Sequence, residues 1–312
     1  MASTQSNQTI VVIGATGIQG SGVVQALLNQ GNLSVRALTQ NPNSPKARTL
    51  LSKYQTADDR LGLVAGQVYD EESLHTAFKG AYGVFDLTSE RYPVKTLSEE
   101  SELKHEIEAG RNIISAAKQC GIGHVAFSSL PDTVKASGGQ FKRIHHMNNK
   151  HAVEQLAREA LGGFTAVMPG FFYNNLIWPQ YCRLRAHDMG AFVTKIFHLG
   201  VGKTKGKTYL ALGPRISPQE IAQTFTRITG KPAVYSPISF EEFGDLSSRL
   251  VGPAFKEDAI EMMQCAAVAP DDKTCYGAFE LDSERACEEL GVSGSSFEDW
   301  LRRSGWTGPQ NS

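Results

Sequence analysis

His146 and Lys150 stand four residues apart in "HMNNK", so on a helix their side chains share one face, one turn apart. An imidazole exchanges a proton near neutral pH and an ammonium offers three N–H donors, which together allow acid/base work. The plainer alternative is a histidine at the edge of a ligand site whose lysine only binds. A second constellation lies near the amino end. In "IGATGIQG", residues Gly14, Ala15, Thr16, Gly17, Ile18, Gln19 and Gly20 follow an apolar run and open a helix-like repeat, with glycines spaced GxxGxxG. Such a corner turns tightly, brings backbone N–H groups close to a pyrophosphate and seats the helix against the strand. These seven residues are candidate dinucleotide contacts; a glycine-rich structural turn is the alternative.

The adenosine end gives a hint about the nucleotide. NAD-binding sites of this kind place an acidic residue about 20 positions past the first glycine. Here the first acidic residue of the chain is Asp58, while Arg36, Lys46, Arg48 and Lys53 precede it. A carboxylate would repel a 2′-phosphate and cations attract it, so Thr39, Gln40, Lys46 and Arg48 point to NADP(H) over NAD(H). Two further stretches supply pocket candidates: Glu90, Arg91 and Tyr92 in "SERYP", and Phe172, Tyr173, Asn174, Asn175 and Trp178 in "PGFFYNNLIW". The aromatic stretch suits a flat, apolar substrate with a few polar handles, and Tyr173 is a further proton source. Other chemistries lack their residues. There is no G-x-S-x-G elbow, His145–His146 has no identifiable third metal ligand, and "KTKGK" reads as a basic surface turn.

Positioning these groups requires an alternating α/β frame. Short β-branched runs ("QTIVVI", "SVRAL", "LGLVA", "GVFDL", "HVAFSS", "FTAVM") alternate with helical stretches over Ser44–Tyr54, Glu71–Phe78 and Glu99–Gln119. This predicts a Rossmann-type doubly wound parallel sheet of six strands over residues 1–170. Residues 171–312 read as a smaller, mostly helical region covering the substrate cleft. It carries strands "KTYLALG" and "AVYSPI", one of which can return to the sheet. Capping boxes open helices at "SPQE" from Ser217, "SFEE" from Ser239 and "SSFE" from Ser295.

Composition narrows the partners. A net charge of −1 gives no cause to expect nucleic acid, and no apolar run approaches a membrane span. The first nine residues lack a signal-peptide layout. Five cysteines (Cys120, Cys182, Cys265, Cys275, Cys287) without CxxC or Cys/His spacing read as free thiols and no metal site. The expectation is a cytoplasmic monomer or homodimer acting on a small molecule.

Together, "IGATGIQGSGVVQALL", "VRALTQNP", "AAKQCGIGHVAFSS", "MPGFFYNN", "GKTYLALG", "ITGKPAVYSPIS" and "FEDWL" resemble the NmrA-like group of atypical short-chain dehydrogenases/reductases, over about residues 8 to 305. The resemblance implies a cofactor across the strand ends and a substrate pocket between two lobes. It implies Thr88 and Ser89 beside the adenosine half, and Ser128 and Ser129 near the nicotinamide ribose. Lys150 would hold the ribose hydroxyls, with Pro169, Phe171 and Phe172 against the nicotinamide and Asn174 matching a recurrent asparagine. Three departures stand out. Gln40 replaces the arginine of the family's "TRNP", Gln67 replaces its aspartate after the third strand, and only about 30 residues separate "FYNN" from "GKTY". The last reshapes the pocket border.

The wider group includes reductases and redox-sensing regulators, so the fold leaves function open. Short-chain dehydrogenases use Tyr-x-x-x-Lys, and here His146 takes the tyrosine position. The favoured reading is an NADPH-dependent reductase of a carbonyl, imine or conjugated double bond in an aromatic, alkaloid-like or quinone-like metabolite of secondary metabolism. A non-catalytic NADP(H) sensor that binds a protein partner, or a non-redox cyclase or isomerase that keeps the cofactor, are the alternatives.

Overall fold

In the computed structural model residues 8–170, 173 and 187–308 are described. The first half alternates strand and helix: β1 (Gln8–Val12), α1 (Ile18–Asn29), β2 (Leu33–Thr39), α2 (Pro45–Tyr54), β3 (Leu61–Ala65), α3 (Glu71–Phe78) and β4 (Gly83–Asp86). It continues through α4 (His105–Gln119), β5 (His124–Ser128), α5 (Thr133–Ala136), α6 (His145–Ala160) and β6 (Phe164–Pro169). The second half holds α7 (His187–Leu199), α8 (Val201–Thr204), β7 (Thr208–Ala211), α9 (Pro218–Thr229), α10 (Phe240–Val251) and α11 (Lys256–Val268). A two-stranded hairpin, β8 (Lys273–Thr274) and β9 (Phe279–Glu280), precedes α12 (Ala286–Leu290) and α13 (Phe297–Ser304).

The sheet runs β3-β2-β1-β4-β5-β6-β7. Every pairing in it is parallel. Strand order reverses between β1 and β4, and ligands of doubly wound sheets bind at the carboxyl ends there. Alternation of side chains explains why both faces need cover. Ile10 and Val12 of β1 enter one core with Val24 and Leu27 of α1 and Phe192 and Ile196 of α7. Val11 and Ile13 enter the other with Leu74 and Phe78 of α3, Ile113 of α4 and Val153 of α6. Fully buried β-branched strands between two helical layers are what a parallel sheet demands.

The architecture is the doubly wound Rossmann-type sheet with a mainly helical C-terminal region, corrected at two points. The seventh strand is the one expected to return from the C-terminal region: Thr208–Ala211 of "KTYLALG" pairs with Ala166–Pro169. The strand expected in "AVYSPI" is absent. Residues 233–238 form no ladder, and Val234, Tyr235 and Ile238 are 87%, 47% and 49% exposed. Pro232 and Pro237 supply the reason, since neither has an N–H to give to a sheet. The third capping box starts one residue later than expected. Ser296 caps α13 with Asp299, while Ser295 donates its hydroxyl to Asp188 (2.7 Å).

Candidate functional site

The glycine corner is built around close backbone approach. Gly14 has φ +66°, and its carbonyl accepts from the Gly17 N–H (2.8 Å). A Cβ on Gly20 would lie 2.2 Å from the Gly14 oxygen, so only glycine lets α1 pack there. A Cβ on Gly17 would meet only that oxygen, at a tight 3.1 Å. Ala15 is buried, and Thr16, Ile18 and Gln19 are half-buried. The Gln19 side chain accepts from the Ser128 hydroxyl (2.8 Å), tying the corner to β5. Side chains cap α2, α3, α9, α10 and α13, whereas α1 has no side-chain cap and no acid in its first turn. Its N–H groups therefore remain available to an anion, and the cradle fits a pyrophosphate.

At the outer end Thr39 closes β2, and Gln40, Lys46 and Arg48 are exposed, the last two in the first turns of α2. Arg36 does not join them. Its guanidinium donates to the Ala77 (2.5 Å) and Lys79 (3.0 Å) carbonyls at the end of α3. Lys53 lies over the Tyr54 ring. Gln67 is exposed; its backbone N–H donates to Ser73 Oγ (3.1 Å).

A buried polar cluster occupies the ends of β4 and β5. Lys150, from α6, forms an ion pair with Glu106 of α4 and donates to the Thr88 carbonyl (3.1 Å). Thr88 Oγ1 donates to the same carboxylate (2.7 Å). Two of the three ammonium donors are thus committed and one is left. Asp86, 1% exposed, lies in the same field. Burial pushes its pKa up to about 7, with Lys150 opposing and Glu106 adding to the rise. Asp86 Oδ1 and Glu106 Oε2 find no hydrogen-bond partner among the described residues. Ser129 donates to buried Glu154 (2.5 Å), so its hydroxyl is committed inward. Ser89 is exposed and accepts from the Arg91 N–H (3.1 Å).

His146 opens α6 and is anchored from the C-terminal region. Its Nδ1 donates to Asp258 Oδ1 (2.5 Å) and its backbone N–H to Oδ2 (2.8 Å). Asp258, on α11, is fully buried. Burial disfavours the imidazolium, but Asp258 and then Glu90 outweigh it, so the pKa of His146 is raised. Glu90 is held below the usual carboxylate range: burial works against its charge, and Lys150, a backbone hydrogen bond and His146 prevail. Glu90, Lys150 and His146 therefore share one electrostatic neighbourhood, with the Phe255 ring 5.4 Å from the imidazole. Asp258, Glu106 and Asp86 were invisible to sequence reasoning, because no local motif marks a carboxylate that becomes buried beside a partner far along the chain.

Of the expected pocket residues, Glu90, Arg91, Tyr92 and Tyr173 are among the described residues, and they line two cavities. Glu90 and Tyr92 line a cavity of about 270 Å³ with Phe255 and Gly252. Tyr173 lines a separate cleft of about 1700 Å³ between the ends of β6 and β7 and the C-terminal helices, where Pro169 also lies. The Tyr173 ring packs on Phe297 (5.2 Å) and Trp300 (5.9 Å), away from the cluster of Lys150. Phe171, Phe172, Asn174 and Trp178 lie outside the described residues. No group of three or more potential metal ligands occurs among the described residues, and no described helix is long and apolar enough to cross a membrane.

This arrangement of a parallel sheet, an open glycine corner and a polar cluster at the strand ends belongs to a nucleotide-binding class of folds. The chain is a member of the NmrA-like family, whose model matches residues 6–301. The NmrA-like oxidoreductase himF of Aspergillus japonicus is 35% identical over 274 residues, 76% of this chain and 79% of that protein. FrzB of Cladobotryum sp, described in the same terms, is 33% identical over 171 residues, covering 54% of this chain and about half (48%) of its own length. Among solved structures, NmrA, a negative transcriptional regulator in complex with NAD, matches with TM-score 0.65 and 23% identity over 98% of this chain and 93% of its own. Citrobacter sp. triphenylmethane reductase complexed with NADP(H) matches with TM-score 0.66 and 19% identity over 95% and 99%. At these identities the structures speak for the fold.

Proposed function

We propose that the chain is an NADPH-dependent reductase of a small, flat, apolar metabolite bearing a carbonyl, imine or conjugated double bond. The observation that carries this reading is the His146–Asp258 pair beside Glu90 and Lys150, at the same strand ends as the glycine cradle. When bound, the cofactor supplies a hydride from its reduced nicotinamide. The free N–H groups opening α1 hold the pyrophosphate, and Lys46 and Arg48 favour a 2′-phosphate over a bare hydroxyl. Lys150 keeps one N–H for a ribose hydroxyl or a substrate oxygen. His146, with Nδ1 held by Asp258, presents Nε2, which has no partner among the described residues, to donate a proton to the substrate. Residues 1–170 hold the nucleotide in this reading and residues 171–312 cover the substrate.

Likeness to oxidoreductase relatives and to an NADP(H)-bound reductase supports this proposal. The likeness to a transcriptional regulator, together with histidine in place of tyrosine at 146, favours a nucleotide sensor as the second reading. The test is NADPH oxidation, followed at the nicotinamide absorbance band, with panels of quinones, enones and iminium ions. Turnover on one panel supports the reductase. Saturable NADP(H) binding without turnover on any of them overturns it in favour of the sensor.

A further inference from the structure

Cys275, Tyr276 and Gly277, at the tip of the β8–β9 hairpin, have φ of +48°, +58° and +83°. Gly277 N–H donates to the Thr274 carbonyl (3.1 Å) and Ala278 N–H to that of Cys275 (3.2 Å), winding the tip into one left-handed turn. Residues with side chains avoid this region, and two adjacent ones persist there only if the surroundings hold them. A hairpin by itself would be served better by Asn-Gly.

The surroundings do hold this tip. The Arg215 guanidinium donates to the carbonyls of Asp271 (3.2 Å) and Lys273 (2.5 Å), and Lys273 forms an ion pair with Glu280 across the strands. Tyr276 packs against the cluster of Phe141, Ile144, Met147 and Cys265. Ile144 and Met147 flank His146, so the strained turn leans on the start of α6. Both Cys275 and Tyr276 line the large cleft, which Pro169 and Tyr173 also line. Burial pushes the Cys275 thiol up to about 11, which makes it a wall and not a nucleophile. The Tyr276 hydroxyl, by contrast, has no hydrogen-bond partner among the described residues, although its ring is half-buried. A tyrosine anchored by its ring with a spare hydroxyl at a cavity wall is built to meet a ligand.

We propose that this left-handed turn is a substrate-reading element, which holds the Tyr276 hydroxyl in the cleft as a hydrogen-bond donor to a carbonyl-type oxygen on a flat aromatic substrate. The proposal rests on the reductase reading for its substrate class, and its test is made by binding alone so that the two fail separately. Naphthoquinone and naphthalene, which share a shape but differ in carbonyl oxygens, are each equilibrated by dialysis with the full chain in the absence of NADPH. Wild type is expected to prefer the quinone. Tyr276→Phe is expected to bind the quinone about fivefold more weakly, the worth of one ordinary hydrogen bond, with naphthalene affinity and thermal midpoint unchanged. No loss in Tyr276→Phe, equal losses for both compounds, or no preference in wild type each overturns the proposal. Quinone bound as expected, with no NADPH turnover on quinones, enones or iminium ions, overturns the reductase reading and leaves this one standing.

Discussion

Replacing Asp86 by asparagine tests the electrostatics of the site directly. Asp86 is 1% exposed, and burial raises its pKa from an ordinary 3.8 to about 7, the Lys150 attraction being too weak to prevent it. A rise of that size corresponds to about 4 kcal/mol at about 1.4 kcal/mol per pH unit. The sign follows from proton counting. Between the two pKa values the folded chain keeps the Asp86 proton and the unfolded chain has lost it. Stability from this group is therefore fully present below pH 3.8 and is lost as pH rises through 7. Asparagine resembles the protonated acid at every pH and carries no such loss.

The assay is urea unfolding of wild type and Asp86→Asn at pH 5, 6, 7 and 8. The variant's stability relative to wild type should grow by about 3 kcal/mol from pH 5 to pH 8, the part of the total that falls in that window, and level off above pH 7. Any fixed cost of seating an amide beside Glu106 is the same at each pH and drops out of the trend. Other groups titrating in the window are common to both proteins and cancel to the extent that they do not couple to Asp86. A flat difference would show that Asp86 is ionised throughout and paired with Lys150. A difference shrinking with pH would show that the folded chain does not hold the Asp86 proton above the ordinary carboxylate range. Either result refutes the reasoning.

Three other outcomes follow from the same geometry. Gly20→Ala should destabilise the chain by about 2–3 kcal/mol, since its Cβ would overlap the Gly14 carbonyl, whereas Gly17→Ala, at 3.1 Å from that oxygen, should cost clearly less stability and lose NADP(H) binding by calorimetry, because Gly17 is exposed where α1 opens. Asp258→Asn should lower the pKa of His146 in a histidine NMR titration and, if His146 donates the proton, move the alkaline fall in turnover to lower pH. Charge reversal of Lys46 and Arg48 to glutamate should weaken NADPH by at least about tenfold, roughly 1.4 kcal/mol, with little effect on NADH, checked by paired titrations.

The parts of this protein that were legible in its sequence are those fixed by neighbours in the chain. Ile10 to Ile13 announce a strand buried on both faces, and the Gly14–Gly20 spacing announces a tight strand-to-helix turn. Ser217 with Glu220 and Ser239 with Glu242 announce helix starts because a cap reaches only three residues. The segment "AVYSPI" misled because its composition suits a strand while its flanking prolines cannot complete a ladder. The site resisted for a different reason. His146 and Lys150 were found by their spacing, but their partners Asp258 and Glu106 lie 112 and 44 residues away. What makes those carboxylates matter is burial, which tertiary packing decides.

Burial also bears on whether this fold turns its nucleotide over. Asp86, Glu106 and Lys150 sit in the protein at 1%, 0% and 6% exposure, and two carboxylates with one ammonium cannot all be charged there cheaply. The raised pKa of Asp86 resolves the imbalance: with its proton, Asp86 is neutral beside a Lys150–Glu106 ion pair, and the cluster as a whole carries no net charge. Apolar side chains of the same volume would fill that space with no desolvation cost, so stability alone gives no reason for these residues. In the reductase proposed above each hydride is matched by a proton from His146, and the neutral Asp86 leaves the Lys150–Glu106 pair intact beside it. On that proposal, the cluster is the electrostatic support for chemistry at the carboxyl ends of β4 and β5.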